Sequence, residues 1–301
     1  MSEAVPATFA PENRGDVAVQ VNGLDKSYRR GVGSRRRTVA LRGCELELPA
    51  GSVTALVGAN GAGKSTLLAV LAGLATADSG TVRLGGRSAF VAQDKPVYRH
   101  LTAAGNLALV ARLNGRWDEE RARGWLERFE VPLDRVCGRL SGGQRALVAL
   151  AIALGACPDV LLLDEPLAEL DPLVRRDVSS ELLSRSAETG MTVVLSTHVV
   201  TEVFGMVDHV VVLGDGRTVL AGEVDELLTD HVEYSGPSTA APPDSGTVID
   251  DVHHGPRSRY TVRLAPDERA PTATDPWTVT PVALEDLLHA YLASNRKVAQ
   301  R

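Results

Sequence analysis

Two periodicities alternate along this chain. Apolar runs at Val17 to Val21, Val39 to Leu48 and Val53 to Val57 have strand length, and the second places Cys44, Leu46 and Leu48 on one face of a period-two pattern. Thr81 to Leu84 and Ala89 to Gln93 are shorter strands divided by Gly85-Gly86, and the early strands predict partly antiparallel pairing. The character then turns helical. Ala103 to Leu113 and Glu119 to Phe129 read as amphipathic helices around the turn Asn114-Gly115, and an Ala- and Leu-rich helix covers Ser141 to Gly155. Strand Val160 to Leu163, helix Pro172 to Thr189, strand Thr192 to Ser196, helix Val199 to Met206 and strand His209 to Leu213 follow. Wholly apolar strands alternating with helices predict an α/β fold with a parallel sheet.

The pattern breaks after about Asp230. Residues 231–256 are rich in Pro, Ser, Gly, Asp and His, with Pro237, Pro242 and Pro243 close together, and read as a linker. Residues 257–301 then read as a small α+β appendage. Arg259 to Leu264 has strand character, and Pro281 to Asn295 is an amphipathic helix with Leu284, Leu287, Leu288 and Leu292 facing inward. Residues 1–16 carry Glu3, Glu12, Pro6 and Pro11 and no basic-then-apolar leader, so a flexible tail is expected there. The main domain is thus 17–230, with a helical part over about 94–155.

Composition narrows this picture only a little. With 301 residues, 44% hydrophobic and 23% charged, the chain has the make-up of a globular protein. A net charge of −6 argues against a surface that embraces nucleic acid throughout; Arg29, Arg30 and Arg35 to Arg37 form one local basic run, read as a solvated loop. Cys44, Cys137 and Cys157 have no metal spacing, which predicts no zinc site and a reducing compartment. The longest apolar run, Ala146 to Cys157, is shorter than the roughly 18 residues a membrane span needs.

The chemistry sits where strands hand over to helices. Gly58-Ala-Asn-Gly-Ala-Gly-Lys-Ser-Thr66 joins a strand to a helix, the context a phosphate-binding P-loop requires. Gly58, Gly61 and Gly63 let the loop, with Asn60 and Ala62, turn several N–H groups toward one anion at a positive helix end. Lys64 would reach the β- and γ-phosphates of a nucleotide, and Ser65, followed by Thr66, would supply a hydroxyl to Mg²⁺. Asp164 and Glu165 follow the strand Val160 to Leu163, at the carboxyl edge where α/β sheets place ligands. Asp164 suits a Mg²⁺ contact and Glu165 the polarisation of an attacking water. In Leu140-Ser-Gly-Gly-Gln144, Ser141 caps a helix while Gly142 and Gly143, ahead of Gln144, leave N–H groups open to a second anion. Two such sites for one nucleotide suggest that two subunits share it.

Together these residues resemble the ATPase subunit of ATP-binding cassette (ABC) proteins over about residues 17–228. The family's order of motifs can be followed as Tyr28, Gly58 to Thr66, Gln93, Leu140 to Gln144, Val160 to Glu165, Ala168-Glu-Leu-Asp171 and His198. The resemblance implies a P-loop NTPase cassette with a mixed sheet core, an antiparallel β subdomain and a helical signature subdomain, using ATP and Mg²⁺. It implies that Tyr28 stacks on adenine, that Gln93 contacts Mg²⁺ or the attacking water, and that His198 bonds the γ-phosphate. It also implies Asp171 in the loop facing a partner, and catalysis by Glu165, His198 and Gln93 between head-to-tail subunits. One departure stands out: Ala168 replaces the usual serine, removing a hydroxyl from the dimer interface.

Single-cassette organisation and the helical segment from Asp94 to Arg139 point to the motor of a transporter. Such a motor works at the cytoplasmic face of the membrane as a dimer, through a separate polytopic permease. The alternative, a soluble ABC protein on ribosomes or nucleic acid, lacks its usual second cassette, zinc modules or coiled coil here. Leu284-Glu-Asp286 resembles an element in the terminal helix of bacterial drug, antibiotic or lipid exporter ATPases, which makes export the expected direction.

Overall fold

The computed structural model describes residues 17–29, 37–199, 205–240, 244–265 and 276–299. The tail expected over 1–16, Arg30, Arg35 and Arg36 of the basic run, and most of the helix expected over Val199 to Met206 lie outside them. In chain order the first half contains β1 (Val17–Arg29), β2 (Arg37–Pro49), β3 (Val53–Val57), α1 (Lys64–Leu71), β4 (Ser79–Leu84), β5 (Ser88–Val91), α2 (Ala103–Leu113), α3 (Glu119–Arg128) and α4 (Gly142–Gly155). The second half contains β6 (Val160–Asp164), α5 (Pro172–Thr189), β7 (Thr192–Thr197), β8 (His209–Gly214), β9 (Arg217–Glu223) and α6 (Val224–Thr229). It closes with β10 (His231–Pro237), β11 (Thr247–His254), β12 (Arg257–Arg263), β13 (Thr278–Pro281) and α7 (Leu284–Ala299).

The central sheet has six strands in the order β5-β6-β7-β3-β8-β9, parallel except for β9. Its inner strands β3, β6 and β7 are buried along their whole length and mostly apolar because both faces are covered. Leu161, Leu163, Val193 and Leu195 point into one core with α2 to α5 and α7. Their sequence neighbours Val160, Leu162 and Val194 point into a second core, shared with α1 and the antiparallel sheet β2-β1-β4. The alternation of side chains along each strand thus feeds two layers at once. A third cluster, built on Tyr234, Tyr260, Val262 and Trp277, fills the antiparallel sheet β11-β12-β10-β13.

The mixed central sheet, the antiparallel sheet of β1, β2 and β4 and the helical part follow the expectation from the sequence, but one boundary reading is corrected. Residues 231–256 are not a linker: they hold β10 and β11, and β10 lies between β12 and β13 in register, with Tyr234 opposite Tyr260 and Val279. Val232 and Tyr234 carried the strand signal, masked by Gly236-Pro237 at the strand's end. β11 is a largely polar edge strand, with no strand paired to its outer edge among the described residues, and it bulges between Val248 and Asp250. The α+β segment that follows supplies β12 and β13, the other half of that four-stranded sheet, and α7. Helix α7 lays Leu287, Leu288 and Tyr291 into the core beneath the central sheet.

Candidate functional site

Strand β3 is buried along its whole length and delivers the chain at Gly58 to the carboxyl edge of the sheet. The turn into α1 is possible because Gly61 and Gly63 adopt φ of 85° and 107°. The loop is clamped from below: Ala62 accepts a hydrogen bond from the Gly216 amide at 3.0 Å, and Leu213 O lies directly beneath Gly58. Lys64 folds back into this loop, donating from Nζ to Gly58 O at 2.7 Å and to Ala59 O at 3.3 Å. Burial pushes the pKa of its ammonium down, and the carboxylates of Glu165 and Asp164 push it back up.

Across the loop, one serine organises both acidic residues. β6 and β7 pair in parallel with Asp164 beside Ser196. Ser196 Oγ donates to Asp164 Oδ1 at 2.6 Å and accepts from the Glu165 amide at 3.0 Å. Glu165 is held at φ 47°, a conformation that costs a non-glycine residue about 1–3 kcal/mol. Its carboxylate is gripped from both sides. Gln93 Nε2 donates to Oε2 at 3.2 Å, and His198 Nδ1 lies 3.0 Å from Oε1, so Nδ1 carries the proton of that bond.

Asn60, Gly61, Gly63, Lys64, Ser65, Thr66, Gln93, Glu165 and His198 line one open cavity of about 580 Å³. Gly58 and Ala62 belong to the same loop but are not among the lining residues, and Asp164, 3% exposed, ends β6 just before Glu165. Thr38, Val39 and Ala40 of β2 supply a wall that the sequence reading missed, because residues distant along the chain meet there. Tyr28 is not among the lining residues. It is 43% exposed on β1, opposite Thr38 of the wall, with Lys26 Nζ 5.1 Å from its ring centre.

The residues expected to touch a second subunit lie elsewhere. Ser141 caps α4, accepting from the Gln144 amide at 3.1 Å while Gln144 Oε1 accepts from the Ser141 amide at 3.1 Å. Gly142 and Gly143 do not open onto empty space. Glu169 lies over them, so close that a Cβ on Gly142 would collide with its carboxylate. Asp171 caps α5, accepting from the Leu173 and Val174 amides at 3.1 Å.

A glycine turn at a helix start, a buried ammonium and a carboxylate held from two sides, around one cavity, form a site suited to a polyphosphate. The profile of the ABC transporter family matches residues 41–168, which contain the loop, Gln93 and both acidic residues. The aliphatic sulfonates import ATP-binding protein SsuB of Corynebacterium glutamicum is 38% identical over 213 residues, covering 69% of this chain and 85% of that protein. The chain belongs to the ABC transporter family.

Other ABC relatives are the sulfate/thiosulfate import ATP-binding protein CysA of Nephroselmis olivacea and the molybdenum import ATP-binding protein ModC of Mycobacterium tuberculosis. Each is 40% identical, over 208 and 211 residues, or 64% and 62% of this chain. The chain spans only 60% and 57% of those two relatives' length. Among solved structures, the dimeric bacterial ABC transporter cassette MJ0796 superposes with a TM-score of 0.62 at 25% identity, covering 68% of this chain and 98% of that one. The same cassette is also known in a dimeric post-hydrolysis state bound to ADP and Pi. All three relatives are import ATPases, so the expected likeness to exporters finds no support in them. Leu284-Glu-Asp286 is explained as the first turn of α7, where Leu284 packs on the core and Asp286 lies 3.5 Å from Arg259.

Proposed function

We propose that this chain is the ATP-binding and ATP-hydrolysing subunit of an ABC transporter. It would work at the cytoplasmic face of a membrane through a separate polytopic subunit; no helix among the described residues is long and apolar enough to cross a bilayer. The observation that carries the reading is Glu165, fixed between Gln93 and His198 on the wall of the cavity that Lys64 and Ser65 also line. The loop amides and Lys64 bind the phosphates, Glu165 accepts a proton from the attacking water, and His198 and Gln93 hold that carboxylate in place. Ser65, Asp164 and Gln93 present only hard oxygen donors and would hold Mg²⁺, which neutralises phosphate charge when bound.

The site is half of a composite one: a second copy, head to tail, would bring Ser141 to Gln144 to the nucleotide, and Tyr28 would lie against the adenine. Likeness to dimeric MJ0796 supports this pairing. Likeness to three import ATPases supports uptake as the direction. The net charge of −6 favours this over action on ribosomes or nucleic acid.

The test is phosphate release by the purified chain, alone and with the membrane protein that co-purifies after gentle detergent extraction. Glu165→Gln should lower turnover about 10²–10⁴-fold, the usual worth of a positioned general base, while ATP still binds. Lys64→Ala should weaken ATP binding itself. Near-normal hydrolysis by Glu165→Gln would refute the role of Glu165, and recovery of ribosomes or DNA in place of a polytopic protein would refute the transporter reading.

A further inference from the structure

Lys95 lies two residues after Gln93 in the segment that joins β5 to the helical part of the fold, and its side chain is 4% exposed. A buried ammonium needs a partner, and Lys95 has one: Nζ lies 2.9 Å from Glu169 Oε1. The backbone at Lys95 adopts φ 47°, so this reach is held in a conformation that L side chains seldom take. Glu169 belongs to the loop between β6 and α5, immediately before Leu170 and Asp171. Its second oxygen, Oε2, is the atom that lies over Gly142, and its carbonyl oxygen stands 3.1 Å from where a Cβ on Gly143 would be. The hydrogen bond from Lys95 holds the pKa of the Glu169 carboxyl below the usual range, and Arg145 in the first turn of α4 adds to that. An anion therefore rests against the positive end of α4, tethered by a cation from a third segment.

We propose that Lys95 and Glu169 form an intrasubunit latch: Glu169 occupies the N-terminus of α4 in the free subunit and must be displaced when a second copy presents its nucleotide there. The inference rests on the composite site described above. Two anions cannot share one helix end in contact distance, so binding of the partner's phosphate and the Glu169–Gly142 contact are mutually exclusive. Lys95 keeps the displaced carboxylate within reach, so the latch recloses when the dimer opens. The segment carrying Gln93, the loop carrying Asp171 and the start of α4 thereby change state together.

Glu169→Gln separates charge from shape, since its amide oxygen still accepts from Lys95. The full chain, in a Glu165→Gln background that retains ATP, is titrated with ATP and its dimerisation followed by sedimentation velocity. Affinity for a fluorescent ATP analogue is measured on the dilute monomer. Releasing one carboxylate from a helix end is worth roughly threefold for each of two sites, so the dimerisation constant should rise about tenfold with monomer affinity unchanged. Lys95→Met with Glu169→Gln, which leaves no buried ammonium, should dimerise as readily as Glu169→Gln alone. If the parent dimerises and Glu169→Gln does so equally or less well, the latch is wrong and the composite site stands. If the parent and the variant both bind ATP and neither dimerises, the composite site and the latch fall together.

Discussion

Gly61 and Gly63 stand in one loop for different reasons, and replacing each by alanine separates them. Both have positive φ, 85° and 107°, where a Cβ costs roughly 1–2 kcal/mol. Around Gly61 the added carbon would meet open space. At Gly63 it would stand 2.6 Å from Ala40 O and 2.9 Å from Leu41 Cδ2, beneath the β2 wall of the cavity. That carbonyl is backbone of β2, at the point where its register with β1 slips, and not the end of a flexible side chain, so an overpacking cost of about 1–3 kcal/mol is added. Gly61→Ala should therefore lose about 1–2 kcal/mol and Gly63→Ala about 2–5 kcal/mol. At roughly 3 °C per kcal/mol for a domain of this size, the melting temperature should fall by about 3–6 °C and about 6–15 °C. Differential scanning calorimetry without nucleotide reads both. Equal losses, or the larger loss at Gly61, would show that contact with β2 does not set the loop's geometry.

Two further outcomes follow from buried groups away from the loop. His231 is 1% exposed, with Nδ1 donating to Leu227 O at 2.7 Å and Nε2 accepting from the Tyr291 hydroxyl at 2.9 Å; burial pushes its pKa below the ordinary value of 6.5. Below that pH the unfolded chain takes up a proton that the folded one refuses, so this stabilisation is complete above about pH 6.5 and declines in acid, by up to about 1.4 kcal/mol per pH unit. Urea titrations from pH 8 to 5 should show a shallower decline for His231→Gln, and parallel curves would sink the assignment. Trp125, fully buried in α3 with its ring 4.9 Å from that of Phe129, should cost about 3–5 kcal/mol when cut to alanine. A loss under about 1 kcal/mol in the same urea assay would mean that the helical part closes around the void.

What the sequence disclosed and what it withheld divide by range. The P-loop was legible because its turn, its lysine and its helix start occupy nine consecutive positions, and the inner parallel strands because burial on both faces makes most of their positions apolar. Glu165 could be picked out as the residue after a strand. Its grip by Gln93 and His198 could be ordered only through family likeness, since they come from three separate segments. Ser196 was within reach of the sequence: once β6 and β7 are taken as adjacent and parallel, the serine ending one strand falls beside Asp164 ending the other. Lys95 and Glu169 were not, because a pair 74 residues apart carries no local pattern. Glu169 in the sequence is one more acid on a loop, and only the fold shows it lying on Gly142.

The corrected boundary at 231–256 changes how the nucleotide loop is supported. A linker would leave the last part of the chain free of the cassette, yet α7 buries Leu287 and Leu288 in the cassette's own core. Farther along the helix, Asn295 lies so tightly on Gly214 that a Cβ there would collide with it. Gly214 opens the turn from β8 to β9, and the same turn supplies Gly216, whose amide donates to Ala62 O in the loop and whose carbonyl accepts from the Arg42 amide of β2 at 2.8 Å. Lys297, in the last turn of α7, pairs with Asp250 and Asp251 of β11 at 2.9 and 2.6 Å. A path of direct contacts thus runs from the edge of the small sheet through α7 to the floor of the phosphate loop. Because well-packed contacts transmit displacement rather than absorb it, a shift of α7 would reach Gly58 to Thr66 through the β8–β9 turn, where Asn295 meets Gly214 and Gly216 bonds Ala62.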